Sequence, residues 1–179
     1  MLKRYERFLK EFDKKLQKYF DQQSEDIVCC KGCSACCEVG DYPFSQLEMM
    51  YLMKGFKSLK KETQEIIKRN VQQIKSSRFS THFYYKCPFL IDKKCAVYKN
   101  RGIVCRTFGL AYILDKENNT VRIPECSKEG LNFAKKFDGV EVEIDPIEEN
   151  LELPSVINSK LAKKHKLDFG ETRSLIDWI

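Results

Sequence analysis

Residues 29–37 read CCKGCSACC and contain five of the nine cysteines of the chain. Cys30, Cys33 and Cys36 are each separated by two residues, and Cys37 follows directly. A gap of two residues lets neighbouring thiolates bind one metal centre from a single turn of the chain. The residues between them include glycine, serine and alanine, whose small side chains let the backbone fold closely around a metal. This stretch therefore predicts a fold organised around a metal-binding turn.

The other four cysteines follow at wider intervals between residues 87 and 126. Together the two groups provide eight candidate metal ligands, enough for two four-cysteine sites: Cys30, Cys33, Cys36, Cys37, Cys87, Cys95, Cys105 and Cys126. Adjacent side chains tend to diverge, so we expect Cys36 and Cys37 to serve different sites, or Cys37 to lie outside the ligand shell. Isolated buried cysteines often act only as small apolar side chains, but so dense a group of cysteines indicates metal binding.

The composition indicates a reducing compartment. The N-terminal segment, MLKRYERFLKEF, carries too many charges for a secretory signal. The longest purely apolar runs, such as residues 49–53, are far shorter than the roughly 20 residues that span a bilayer. We therefore expect a cytoplasmic protein without a membrane segment, in which stable disulfides are rare. The odd number of cysteines agrees with this, because a disulfide framework would leave at least one unpaired.

The formal net charge of the 179-residue chain is +6, and a basic balance is typical of proteins with acidic partners. That charge counts every cysteine as a neutral thiol, whereas metal-bound cysteines are thiolates. Eight thiolates with two divalent ions, or with two dicationic clusters, would reduce the net charge to about +2. The charge therefore gives no reason to expect a nucleic-acid partner.

The apolar pattern predicts one α+β, mostly helical domain over residues 1–179. Residues 29–126 are expected to form a small cysteine-rich, metal-centred core with short hairpins at FLI–CAVY and GLAYIL–TVRIP. Residues 127–179 are expected to form a helical C-terminal extension with a strand at GVEVEID. Before the core, residues 1–22 are predicted to form an amphipathic helix that packs against the body, because apolar residues recur every three or four positions: Leu2, Tyr5, Leu9, Phe12, Leu16 and Tyr19.

Two further helices are expected between the two cysteine groups. Ser45 and Glu48 have the spacing of a capping box, which predicts the start of a helix that ends near Gly55. A second helix is predicted from about residue 58 to residue 76. Beyond the last cysteine, residues 128–137 are also expected to be helical.

Two kinds of metal centre remain open. Three cysteines at CxxCxxC spacing supply three corners of a 4Fe–4S cluster with a remote fourth ligand, whereas two of them supply half of a tetrahedral zinc site. Zinc ribbons show two cysteine pairs with short gaps, and the later cysteines are spaced by 8, 10 and 21 residues. The spacing therefore favours a 4Fe–4S cluster, with zinc as the alternative. Cys29, Cys33 and Cys36 also match the spacing of radical-SAM enzymes, but the strand–helix repeats of such barrels are missing.

The motif CxxCxxCC at residues 30–37, followed by CPFLIDKKCAVYKNRGIVCR at residues 87–106, resembles the YkgJ-type cysteine-cluster family. That family is described as a zinc- or iron-chelating domain, and the resemblance extends to Cys126. Gly102 stands where the family usually has proline, and Cys29 is extra to its pattern. A flagellin lysine N-methylase is similar but longer. The resemblance does not imply methylase activity for this chain, because the chain lacks that extra length and shows no glycine-rich nucleotide loop.

The resemblance implies metal binding and leaves three classes of function open. The first is an iron–sulfur protein with a redox or electron-transfer role, since family members are often labelled oxidoreductases without a defined reaction. The second is a zinc-stabilised structural or interaction module. The third is a cluster-dependent enzyme that modifies a protein side chain, as a lysine N-methylase does. In each class we expect a protein partner or a redox partner.

Three residues close to the later cysteines are candidates for contact with the cofactor. Arg101 and Arg106 flank Cys105, and their guanidinium groups could donate hydrogen bonds to cluster sulfurs or compensate the thiolate charge. Tyr98 lies in the same segment and is expected to pack beside the ligands. His82, five residues before the second cysteine group, is a further candidate ligand.

Overall fold

The computed structural model describes residues 1–29, 32–77, 84–136 and 144–179. The predicted α+β, mostly helical class is confirmed. The α-helices of the described residues are α1 (Leu2–Gln22), α2 (Ala35–Glu38), α3 (Gln46–Lys57), α4 (Lys61–Ser76), α5 (Ile103–Thr107), α6 (Leu153–Ile157), α7 (Lys160–Lys164) and α8 (Leu175–Trp178). Two short 3-10 helices span Tyr98–Asn100 and Glu125–Glu129.

The strands of the described residues form three antiparallel pairs, β1 with β6, β2 with β3 and β4 with β5. They are β1 (Pro43–Ser45), β2 (Leu90–Ile91), β3 (Lys94–Cys95), β4 (Tyr112–Asp115), β5 (Thr120–Arg122) and β6 (Thr172–Ser174). Both predicted hairpins are therefore confirmed.

The chain divides into two compact units. Unit 1 consists of Met1, Lys3–Lys31 and Val104–Leu167, and unit 2 consists of Leu2, Gly32–Ile103 and Asp168–Ile179. The described cysteines are divided between them: Cys29, Cys105 and Cys126 belong to unit 1, and Cys33, Cys36, Cys37, Cys87 and Cys95 belong to unit 2.

The N-terminal helix α1 supplies much of the core of unit 1. Its buried face carries Tyr5, Phe8, Leu9, Phe12 and Leu16, all of them at most 3% exposed. The Phe8 ring stacks between those of Tyr5 and Phe12, with centroid distances of 5.8 and 5.5 Å. Each such side chain contributes about 1.5–3 kcal/mol when it leaves water. The predicted amphipathic helix is confirmed, and Phe8 widens its apolar face beyond the predicted seam.

In unit 2, α3 begins at the predicted capping box. The Ser45 hydroxyl accepts a hydrogen bond from the Glu48 N–H, and the Glu48 carboxylate accepts one from the Ser45 N–H at 2.9 Å. The same carboxylate accepts the Ile103 N–H at 2.7 Å. A Cβ on Gly102 would lie 2.6 Å from the Phe44 ring, so this close approach requires glycine. The helix continues two residues beyond the predicted stop at Gly55.

The last residues of the chain complete unit 2. Strand β6 pairs with β1, and the Leu175 N–H donates to the Tyr42 carbonyl at 2.9 Å. The Trp178 indole N–H donates to the Phe44 carbonyl at 2.8 Å. These hydrogen bonds tie the short helix α8 to β1, directly before α3 begins.

The expected helix at residues 128–137 is wrong for the residues described. The chain forms a 3-10 helix over Glu125–Glu129, and Gly130 ends it with a φ of 78°. Glycine reaches this left-handed conformation at little cost, which stops the helix at that point. The strand expected at GVEVEID lies largely outside the described residues.

No helix in the described parts of the chain has the length and apolar character that crossing a membrane requires.

Candidate metal centre

Cys36 and Cys37 lie in the single helical turn α2 of unit 2. The Cys37 N–H donates to the Ser34 carbonyl at 2.7 Å, and the Tyr42 hydroxyl donates to the Cys36 carbonyl at 2.8 Å. A Cβ on Gly40 would lie 2.6 Å from the Tyr42 ring, so glycine lets that ring fold back onto the turn. The Sγ atoms of Cys36 and Cys37 lie 3.9 Å apart. The expectation that these adjacent side chains diverge is therefore wrong.

Cys87 reaches the same turn through backbone pairing. Its N–H donates to the Cys37 carbonyl at 2.8 Å, and Gly40 and Tyr85 form an antiparallel bridge next to it. The side-chain amide of Asn70, on α4, donates to the Pro88 carbonyl at 3.1 Å and holds the following turn. The thiols of Cys37 and Cys87 are hydrogen-bonded to each other.

Cys95 returns to this group through the β2–β3 hairpin. The turn residues Asp92 and Lys93 have φ values of 48° and 58°, which is the geometry of the two-residue turns that close tight hairpins. Leu90 pairs with Cys95 across the hairpin, and the Leu90 N–H donates to the Cys87 carbonyl at 3.0 Å. This turn brings Cys95 back beside Cys87. The Cys95 thiol interacts electrostatically with the thiols of Cys36 and Cys37 on α2.

These four residues, Cys36, Cys37, Cys87 and Cys95, are called the thiol cluster below. The hydrogen bond to Cys37 and burial raise the pKa of the Cys36 thiol. The hydrogen bond from Cys36 lowers the pKa of Cys37, but the hydrogen bond to Cys87, burial and the charges of Cys87 and Cys95 raise it to about 12. Burial also raises the pKa of Cys95, against the nearby charge of Arg101. Such a donor set becomes fully ionised only when a cation joins it.

The spacing of the Cys36 and Cys37 sulfurs fits that of a tetrahedral metal site. Thiolates bind zinc at about 2.3 Å, and a tetrahedron of that size separates its sulfurs by about 3.8 Å. The 3.9 Å between the Sγ atoms of Cys36 and Cys37 fits this separation. Among the described residues, no three His, Cys, Asp or Glu side chains already stand in a geometry that could hold a metal ion. A bound ion would therefore have to draw the remaining thiols of the cluster inward.

Two of the predicted cofactor-contacting residues lie beside the thiol cluster. The Arg101 guanidinium stacks 4.0 Å above the Tyr98 ring centroid and donates to the Tyr98 carbonyl at 3.0 Å. Its charge favours the thiolate forms of Cys36 and Cys95. Tyr98 is 61% exposed. Arg101 is therefore held in place by its stacking partner and provides a positive charge at the cluster.

A shallow depression of about 250 Å³ opens beside Cys95. It lies between the end of α3 and the 3-10 helix Tyr98–Asn100, whose Asn100 side chain donates to the Tyr51 carbonyl at 3.0 Å. A Cβ on Gly55 would lie 2.6 Å from the Asn100 side chain, so glycine admits that contact. Cys95 is thus reached by solvent from this side.

The third predicted residue, Arg106, has a structural contact in unit 1. It is 5% exposed, and its Nη1 lies 2.7 Å from both carboxylate oxygens of Asp13 on α1. The paired charges anchor α5 to α1. Arg106 as a cofactor contact stays a prediction.

The remaining predicted ligands lie elsewhere. Cys33 is exposed in unit 2, at the start of the segment that leads into α2. Cys105 lies on α5, and Cys126 is buried in the 3-10 helix Glu125–Glu129. Cys30 and His82 lie outside the described residues.

Sequence reasoning missed two aromatic residues that position the thiol cluster. Tyr42 fixes the carbonyl of Cys36, and Tyr85 donates to Asp41 at 2.7 Å and accepts the Ile176 N–H at 3.2 Å. Tyr85 thereby ties the segment before Cys87 to Asp41, which precedes β1, and to Ile176 in α8. Neither residue has a spacing that signals this role, because each acts on a partner that is brought near by the fold.

The CxxCxxCC family model, which describes a zinc- or iron-chelating domain, matches residues 29–127, more than half of the chain. No curated protein and no solved structure shows significant similarity to the chain. The matched residues include all four members of the thiol cluster, and metal binding is the property that the family description gives. The chain belongs to the CxxCxxCC family of zinc- or iron-chelating domains.

Proposed function

We propose that this protein binds a single divalent thiophilic cation at the thiol cluster, zinc in the first place, and serves as a metal-stabilised interaction module. The observation that carries the proposal is the 3.9 Å separation of the Cys36 and Cys37 sulfurs. In a tetrahedral site all four thiolates share one ion, so their sulfurs approach each other closely. In a 4Fe–4S cluster each thiolate binds a different iron atom, which places the ligand sulfurs farther apart.

The segments that carry the thiols support a structural role for the ion. Helix α2 has four residues, and β2 and β3 have two residues each. Elements this short are marginal by themselves. Bound zinc supplies no redox chemistry and contributes folding free energy by joining its ligands. A reduced, cytoplasmic location follows from this role, because the thiols must stay free of disulfides.

A second candidate is an iron–sulfur protein with a redox or electron-transfer role. The CxxCxxC spacing of Cys30, Cys33 and Cys36 favours it, since three such cysteines can supply three corners of a 4Fe–4S cluster. Arg101 would then tune the cluster through its charge. The two candidates differ in the role of Cys33. A 4Fe–4S cluster needs Cys33 as a ligand, whereas an ion at the thiol cluster does not.

The experiment compares Cys33→Ser and Cys95→Ser with the unchanged chain, all purified without oxygen. Iron, zinc and acid-labile sulfide are measured per chain, together with the visible absorption spectrum. The proposal expects zinc without a visible band, the loss of one ion in Cys95→Ser and full retention in Cys33→Ser. If the unchanged chain contains iron and sulfide and both variants lose them, the proposal is overturned in favour of the 4Fe–4S cluster.

A further inference from the structure

The depression beside Cys95 has an apolar lining and two fixed walls. One wall is the end of α3, where the Ser58 hydroxyl donates to the Gly55 carbonyl at 2.7 Å. The other wall is the 3-10 helix that follows Cys95, where the Asn100 N–H donates to the Val97 carbonyl at 2.7 Å. Its apolar lining residues are Leu59, Ala96 and Val97. A surface that is already fixed loses little conformational entropy when a partner binds to it.

The two segments that line the depression carry charge of one sign. Residues 54–61 and 94–101 contain no aspartate or glutamate, but they contain seven basic residues: Lys54, Lys57, Lys60, Lys61, Lys94, Lys99 and Arg101. In the whole chain, 26 acidic residues accompany 32 basic ones, so the excess of positive charge here is local. Lys57, Lys60 and Lys99 are exposed. Such a rim attracts an acidic partner and repels a basic one.

Tyr98 and Arg101 lie together at the edge of the depression. Tyr98 belongs to its lining and is largely exposed. The stacked guanidinium of Arg101 donates to the Tyr98 carbonyl, which fixes both residues in one arrangement. Tyrosine and arginine are enriched among the few residues that carry most of the binding energy of protein interfaces. A guanidinium also binds carboxylates through two parallel hydrogen bonds.

The size and the lining of the depression favour one class of partner. Pockets for drug-sized molecules measure about 300–1,000 Å³, whereas this depression measures about 250 Å³ and has room for a single large side chain. Single-stranded nucleic acids stack successive bases on several aromatic rings. Among the described residues that line the depression, Tyr98 is the one aromatic residue. An apolar side chain flanked by carboxylates matches both the apolar lining and the basic rim.

We propose that this depression and its basic rim are the docking site for an acidic peptide segment of a partner protein, with one apolar side chain of the peptide as its anchor. The proposal rests on the interaction-module function proposed above, and it names the surface and the chemistry of the partner. The anchor enters between α3 and the 3-10 helix, and the flanking carboxylates meet Lys99 and Arg101.

The test selects peptides from a phage-displayed library of random heptapeptides, with the full-length protein isolated without oxygen as the target. The selected peptides should share a Leu, Ile, Met or Phe flanked by Asp or Glu. A fluorescein-labelled peptide of the consensus sequence is then titrated with the protein, and fluorescence anisotropy gives its dissociation constant. Binding should weaken as the salt concentration rises. The absence of selected peptides, or a consensus without acidic residues, would overturn the proposal.

Charge reversal and truncation at the depression should weaken binding of the labelled peptide. We expect Lys99→Glu and Tyr98→Ala each to raise its dissociation constant by about tenfold or more. Lys75→Glu is the matched control, because Lys75 is exposed and lies about 21 Å from Lys61 along α4. Equal affinities of Lys99→Glu and Lys75→Glu would refute the docking site. A labelled oligothymidylate that binds more tightly than the peptide, with the same loss in Lys99→Glu, would overturn the proposal in favour of a nucleic-acid site.

Zinc per chain is measured in every variant, which separates the docking site from the function of the thiol cluster. Loss of peptide binding in Lys99→Glu with zinc retained supports the docking site. Zinc retained in an unchanged chain that selects no acidic peptide overturns the docking site alone. An unchanged chain without zinc overturns the metal-stabilised module, whatever peptide it selects.

Discussion

Replacement of Glu48 by glutamine tests how unit 2 holds the segments around its thiols. Glu48 is 1% exposed, so its hydrogen bonds have no competition from water. One carboxylate oxygen accepts the Ser45 N–H at 2.9 Å and the Ser45 hydroxyl at 2.7 Å, and the other accepts the Ile103 N–H at 2.7 Å. Glutamine has one acceptor oxygen, so its amide group must meet at least one of these donors.

The magnitude follows from those contacts. If the glutamine oxygen keeps the two Ser45 bonds, its NH₂ group faces the Ile103 N–H. One charge-assisted hydrogen bond is then lost, at about 1.5–3 kcal/mol, and a buried donor is left unmet, at about 1–3 kcal/mol. Relief of the desolvated charge offsets part of this. We expect Glu48→Gln to lower the free energy of unfolding by about 2–4 kcal/mol.

The assay is chemical denaturation of the variant beside Glu65→Gln. Glu65 pairs with Lys68 on the exposed face of α4, where both side chains are more than half exposed, so this control should stay within about 0.5 kcal/mol of the unchanged chain. The content of bound metal should not change in either variant, because Glu48 lies outside the thiol cluster. A Glu48→Gln protein within about 1 kcal/mol of the control would refute the reasoning.

Three further predictions concern the thiol cluster. Zinc at a thousand times its dissociation constant stabilises a protein by about 4 kcal/mol, so a chelator should lower the melting temperature of the unchanged chain by roughly 8–16 °C. The chelator should lower the melting temperature of Cys95→Ser much less, and equal shifts in both proteins would contradict the ligand assignment. The pKa of the Cys37 thiol is raised to about 12, so this thiol is protonated near neutral pH, and zinc binding should release protons and weaken as pH falls. A pH-indicator titration without proton release would argue against thiolate ligation. Arg101→Met should weaken zinc binding by about tenfold, whereas the control variant Tyr98→Phe should bind zinc as the unchanged chain does. An equal affinity in both variants would show that the Arg101 charge does not stabilise the bound thiolates.

The parts of the fold that sequence could predict depend on short-range signals. The three-and-four spacing of apolar residues predicted α1, because one face of a helix collects those positions. The Ser45–Glu48 pair predicted the start of α3, because both partners of a capping box lie within one turn. The neighbouring runs FLI and CAVY predicted the β2–β3 hairpin for a similar reason.

The arrangement of the thiols depends on long-range contacts that leave no periodic signal. Cys36 and Cys37 approach each other in a turn that Tyr42 and the pairing with Cys87 hold from outside, whereas adjacency alone predicted that they diverge. In unit 1, the buried side-chain amide of Asn132 accepts hydrogen bonds from the N–H groups of Val28 and Cys29, and Val28 lies 104 positions away in sequence. A spacing pattern cannot indicate such a residue, because its partners are backbone groups that any sequence possesses.

In unit 2, long helices form the core and short segments carry the thiols, which explains how a bound metal could stabilise this unit. The long helices α3 and α4 carry no cysteine. The cluster thiols lie on the four-residue helix α2, on a segment beside the Gly40–Tyr85 bridge, and on a hairpin whose strands have two residues each. Long elements obtain their stability from packing, whereas segments of two to four residues gain little from their own hydrogen bonds. An ion bound at the thiol cluster would therefore act on the least stable part of unit 2. Its loss would release the cysteine-bearing segments while the helices keep their core, so a metal-dependent surface can be built on a fold that persists without the ion.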